Sequence, residues 1–124
     1  HTRQRIARQV ALELVVALRL PGAATRFAAH ARYLKLRERT SYAFAVVSAA
    51  ACLHIENGIV VEARLALGGV AAKPWRTRAA EAVLATARPI AESFERAADV
   101  ALTDARPSGY NAFKIELARR IVRR

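Results

Sequence analysis

The chain has 124 residues, 21 of them Lys or Arg against 10 Asp or Glu, for a formal net charge of +11; 54% are apolar and 25% charged. That length and balance suit one compact domain, exclude a disordered chain, and allow a core without disulfides or metal staples. The single cysteine, Cys52, excludes an internal disulfide framework and favours a reducing, intracellular compartment.

No segment approaches the ~20 consecutive apolar residues of a membrane helix, so no membrane insertion is expected. The start, "HTRQRIARQV", lacks the apolar core and cleavage site of a signal peptide. The chain begins with His1 and contains no Met, which suggests a fragment, a processed chain or a trimmed one. The basic balance favours anionic partners, namely nucleic acid, cofactor phosphates or an acidic protein surface. Arginine also covers solvated helix surfaces with no partner at all, and charge alone does not choose.

In chain order, residues 1–12 are ambiguous between a helix and an extended arm. "ELVVALRLPG" reads as a strand over 13–20, stopped by Pro21-Gly22. "AATRFAAHA" follows as a loop, then "RYLKL" as a short strand. Residues 46–55 and 59–67 form two neighbouring strands. Val47, Ala49, Ala51, Leu53 and Ile55 share one face of the first, and Ile59, Val61, Ala63, Leu65 and Leu67 one face of the second. A two-residue Asn57-Gly58 turn would set Leu53 opposite Glu62 and mix the faces. A three-residue loop, Glu56-Asn57-Gly58, pairs Ile55 with Ile59 and Leu53 with Val61, so a type I turn with Gly58 in a left-handed bulge is expected. The opposite face (Val46, Ser48, Cys52, His54, Glu62, Arg64) is more polar and should meet solvent or another subunit.

After Gly68-Gly69 the pattern turns helical. Thr77 can cap a helix running to about Arg88-Pro89. A second begins near Ala91 with the stripe Phe94, Ala97, Ala98, Ala101, Leu102, Ala105. Ser108 can cap a third carrying Phe113, Leu117 and Ile121. The fold class is therefore α+β: a three-stranded antiparallel sheet with three helices packed on one face.

Catalytic patterns are scarce. His1, His30 and His54 are isolated, and there is no HExxH, CxxC, Walker sequence or GxSxG, so neither a metal set nor a catalytic residue is indicated. His54 beside Cys52 reads as a surface histidine and a small packed thiol. "GGVAAKPW" has Val70, Ala71 and Ala72 where a phosphate loop would need glycines, and so reads as a tight strand exit, with Trp75 as a packing anchor between sheet and helices. The basic "FKIELARRIVRR" offers no aromatic interleaving for nucleic acid, so no specific nucleic-acid partner is expected.

Four stretches, "ELVVALRLPG", "RYLKLRERTSYAFAVVSAAACL", "NGIVVEARLALGGVAAKPWRTRAAEAVL" and "DARPSGYNAFKIELARRIV", occur in the order and spacing of the C-terminal part of the FAD-binding (medium) subunit of molybdenum hydroxylases. Over about residues 13–124 the chain resembles the carbon monoxide dehydrogenase flavoprotein C-terminal domain, also found in xanthine dehydrogenases. "YLKLRERTSYAFA" and "NAFKIELARR" are most similar to the aldehyde-oxidoreductase branch.

The resemblance implies that 31–124 are this domain. Residues 1–30 would then be an arm with linker and the closing strand of a preceding FAD domain. It implies an oxidoreductase role in which electrons pass from a molybdenum cofactor through 2Fe-2S clusters to FAD and on to an acceptor. The implied partners are the FAD-binding domain, an iron–sulfur small subunit and a molybdenum large subunit, in the cytoplasm or in a periplasmic complex. It implies Lys35 as a cation near the flavin, and Ser41, Tyr42, Ala43 and Phe44 as a wall beside the ring, Tyr42 nearest; packing of Tyr42 and Phe44 under the helices is the alternative. The glycine-rich pyrophosphate loops belong to the preceding domain, so this chain alone should bind FAD weakly or not at all and be inactive. The rival reading is a stand-alone basic interaction or nucleic-acid-associated module without redox activity.

Overall fold

The computed structural model describes residues 14, 16–39 and 44–124. The expected arm over 1–12, Glu13 and Val15 of the first expected strand, and Ser41, Tyr42 and Ala43 lie outside the described residues. Four antiparallel strands lie in the order β1 (Ala31–Leu36), β2 (Val47–Glu56), β3 (Ile59–Gly68), β4 (Trp75–Arg76), followed by the helices α1 (Arg78–Leu84), α2 (Ala91–Ala101) and α3 (Phe113–Arg123). The α+β class holds, with one strand more than expected. The two residues of β4 pair with Ala66 and Leu67 at the sheet edge, too few for a periodicity to show.

The helices cover one face of the sheet. Val60, Ala63 and Leu65 pack with Ala80, Leu84, Ala97 and Ala101 of α1 and α2, and Val47, Ala49 and Leu67 pack with Ala118 and Ile121 of α3. The alanines matter here, because side chains ending at Cβ let helices approach the sheet closely and keep the interior filled. The more polar face is covered in part by a 3-10 helix, Gly22–His30, where a loop was expected. Its buried Phe27 meets His54 edge-on at 6.5 Å between ring centroids. Arg26 donates to Glu62 from Nε and Nη2 at 2.8 and 2.6 Å. That hydrogen bond holds the Glu62 carboxyl below its ordinary range against partial desolvation, with the charges of Arg26, Arg64 and His54 adding to it.

The β2–β3 turn corrects the register expected above. Asn57 and Gly58 both have positive φ, 51° and 74°, the signature of a two-residue type I′ turn, and Glu56 pairs directly with Ile59. The faces stay matched because β3 carries a bulge. Ile55 pairs with Val60, but His54 pairs with Glu62 and Leu53 with Ala63, so Val61 is the extra residue. Val60 therefore enters the core in place of Ile59 and Val61. Gly58→Ala should cost about 1 kcal/mol, the penalty of a left-handed residue with a Cβ, read as a lower urea midpoint. An unchanged midpoint would contradict the turn.

The bulge also explains where α1 stops. Val60 N–H donates to Ala87 O (2.9 Å) and Thr86 N–H donates to Val60 O (2.8 Å). Residues 86–87 therefore pair with β3, and Thr86 takes φ 71°; the helix ends at Leu84, short of the expected Arg88-Pro89. Ser108 does not cap α3. Its N–H donates to Asn111 Oδ1 at 2.7 Å, forming a turn ahead of a helix that begins at Phe113. The described part of the expected first strand, Leu14 and 16–20, pairs with no strand, and Leu14, Val16, Leu18 and Leu20 are all exposed. Trp75 sits on the edge strand, 38% exposed, and borders a groove with Leu67 of the sheet and Leu102 and Ala118 of the helix layer. No described helix is long and apolar enough to cross a membrane.

Candidate functional site

Of the five residues expected at a flavin wall, the structure describes Lys35 and Phe44. Strand alternation puts Lys35 on the sheet face away from the helices, since its neighbours Leu34 and Leu36 pair with Ala49 and Val47 of the core. Lys35 lies opposite Ser48, and Ser48 lies opposite Gly68. This cross-sheet row carries one exposed ammonium, one small hydroxyl and one bare glycine. A Cβ on Gly68 would lie 2.5 Å from Ser48 Oγ, so this glycine is what leaves Ser48 its place. The edge position of β1 also puts Lys35 on the border of an open groove of ≈ 580 Å³ with Leu36, Leu117 and Arg120.

Phe44 is 99% exposed, which removes packing under the helices as its role. A fully solvated Phe ring forgoes on the order of 2 kcal/mol relative to a buried one. The loop's stems are fixed, with Val46 N–H donating to Leu36 O at 2.9 Å. Lys35 and Phe44 thus flank the two stems of one connection, with Ser41, Tyr42 and Ala43 in the span between.

Sequence reasoning missed the residues beneath this loop. Gly69, at φ 77°, approaches so closely that a Cβ there would meet Val46 O at 2.8 Å and Ala45 O at 3.0 Å. Lys114 Nζ, reaching from the first turn of α3, donates to Gly69 O at 3.2 Å. The glycine pair was a visible signal; which chain it would face was not.

Lys35 and Phe44 are an exposed cation and an exposed aromatic ring, side chains of the kind that can lie beside a flavin. A cation can sit near the ring's electron-rich end and an aromatic face can lie against it. A pyrophosphate grip needs a glycine-rich turn running from a strand into a helix N-terminus; Gly68-Gly69 leads instead to β4. Among the described residues there is no cluster of three or more His, Cys, Asp or Glu able to hold a metal. The arginines of α3 are engaged with carboxylates: Arg119 with Asp99 at 3.4 Å, Arg120 with Glu116 at 2.9 Å, and Arg123 with Glu95. The three arginines of this basic helix thus stand in ion pairs on the protein's own surface.

Residues 32–124, which form the four-stranded sheet backed by three helices, match the CO dehydrogenase flavoprotein C-terminal domain family. The chain belongs to that family. It is 40% identical over 108 residues to the aldehyde oxidoreductase FAD-binding subunit PaoB of Escherichia coli (strain K12), a match spanning 87% of this chain and 30% of the relative. The fold matches carbon monoxide dehydrogenase from Hydrogenophaga pseudoflava (TM-score 0.69, 30% identity, 75% of this chain and 33% of that one). It matches quinoline 2-oxidoreductase from Pseudomonas putida 86 similarly (TM-score 0.68, 26% identity, 76% and 34%). The chain thus spans about a third of the length of each.

Proposed function

We propose that this chain is the C-terminal part of the FAD-binding subunit of a molybdenum hydroxylase, and that its β1–β2 connection forms one wall of the flavin and acceptor site. The observation that carries the wall assignment is Phe44, a fully exposed ring on a loop whose stems are hydrogen-bonded together. When bound, FAD would supply the step that takes electrons from the iron–sulfur side and passes them to an acceptor. The residues here act around it. Lys35 favours negative charge on the ring, Ser41, Tyr42, Ala43 and Phe44 form the flat wall, and burial of Phe44 against the ring excludes water from that side.

The phosphates of FAD belong to the preceding domain, so the isolated chain binds the cofactor weakly or not at all. Residues 1–30 are the arm that joins the two domains. Leu14, Val16, Leu18 and Leu20, apolar at alternate positions of an exposed stretch, supply the apolar face of a strand that the FAD domain would complete. The iron–sulfur and molybdenum subunits are the other partners.

Tyr42→Ala and Phe44→Ala in the complete enzyme test the wall. Each should slow flavin-to-acceptor transfer by about tenfold, the equivalent of one well-placed contact, while substrate reduces the molybdenum site at its normal rate. Equal losses in both half-reactions would count against the assignment.

A further inference from the structure

We propose that Gly69 and Lys114 are a positioning pair for the β1–β2 loop, setting where Phe44 and its neighbours stand; this rests on the wall reading above. The geometry forms a continuous chain of contacts. Lys114 Nζ donates to Gly69 O, Gly69 lies against Val46 O and Ala45 O, and Val46 N–H donates to Leu36 O, so the stem leading into β2 is backed by Gly69 and is itself tied to the stem leaving β1. Only glycine serves at 69. Its φ of 77° is left-handed, and any Cβ would strike main-chain oxygen, which cannot swing aside as a flexible side chain could.

Lys114 stands apart from the other cations of its helix. Arg119, Arg120 and Arg123 pair with carboxylates, whereas Lys114 donates to a main-chain carbonyl from a groove bordered by Val70 and Trp75. Its ammonium therefore ties the first turn of α3 to the residue that follows β3, the one that lies against the Ala45-Val46 stem. The glycine pair and the lysine of "NAFKIELARR" thereby acquire one shared task.

The test uses the complete enzyme carrying Lys114→Met, which keeps the stem and removes the donor, Lys114→Arg, which restores a donor, and Gly69→Ala. Amide hydrogen exchange over residues 37–46 should quicken roughly threefold to tenfold in Lys114→Met, the reach of one hydrogen bond, and more in Gly69→Ala. Lys114→Arg should return toward wild type. In parallel, KM for the acceptor should rise and the visible spectrum of the flavin should shift, with substrate-driven reduction and the melting temperature unchanged in Lys114→Met. Unchanged exchange in both Lys114→Met and Gly69→Ala would overturn the positioning role even where Phe44→Ala is impaired. Faster exchange with unaltered acceptor kinetics and flavin spectrum would show a loop held as described that does not serve the flavin, and would remove the wall reading with it. Equal loss of both half-reactions together with a lowered melting temperature would reduce the pair to ordinary structural residues.

Discussion

Glu81→Ala should be among the most damaging single changes in the domain, costing about 3 kcal/mol. Glu81 is 8% exposed in α1 and binds two elements at once. Its Oε1 accepts the Leu65 N–H of β3 at 3.0 Å, and its two oxygens accept Arg76 Nε and Nη2 at 2.9 and 3.0 Å. Removing the carboxylate orphans a main-chain N–H that β4, beginning opposite Leu67, does not reach, and frees the guanidinium that holds the two-residue β4 in place. Arg76 is partly exposed and can turn to water, so most of the loss lies with the Leu65 N–H and the vacated space. Thr77 adds no compensating cap, since its Oγ1 is buried without a hydrogen-bond partner.

The same carboxylate gives the protein an acid limit. Burial pushes the Glu81 carboxyl up, but the Arg76 hydrogen bond, the Leu65 N–H and the charges of Arg76 and Arg64 together outweigh it, and the group sits below its ordinary 4.5. Because the folded value lies under the unfolded one, its stabilisation is complete above 4.5 and is lost as the pH falls through the folded value. Urea midpoints measured from neutral pH downward should therefore fall more steeply in the wild type than in Glu81→Gln, which cannot ionise. Glu62 is shifted in the same direction, but its partners are solvent-screened and it is common to both proteins, so the difference reports Glu81. Parallel acid slopes would remove Glu81 as the source.

How far the sequence could carry the fold is clearest where two signals conflict. The alternation of β2 and β3 was plain, and so was Asn57-Gly58, but taken as an unbroken ladder they require different loop lengths. Alternation alone favours three residues; the turn residues favour two. The protein satisfies both with a bulge, beside which Val60 N–H donates to Ala87 O and Val60 O accepts from Thr86 N–H, residues distant in sequence. The covering of the polar face by Phe27 and Arg26 was hidden for a similar reason, since "AATRFAAHA" is too short and too mixed to show which face it meets. The loop stems were legible as a charged stretch running into an apolar strand. Their support from Gly69 and Lys114 was not, because a close approach between main chains leaves only a glycine as its trace.

The bulge can be tested with two adjacent residues of the same type. Val60 is fully buried and packs with Ala63, Leu65, Ala80 and Leu84, whereas Val61, one position on, is 48% exposed. Val60→Ala should cost about 2 kcal/mol, the loss of two methyl groups from a filled core plus the cavity they leave. Val61→Ala should cost no more than about 0.5 kcal/mol, the usual limit for a surface change. A three-residue loop without a bulge would reverse that order, putting Val61 opposite Leu53 in the core and Val60 on the polar face. The comparison is internally controlled, because side-chain chemistry, strand and propensity change are the same and only the direction of the side chain differs. The ranking of the two urea midpoints therefore reports the register at the start of β3.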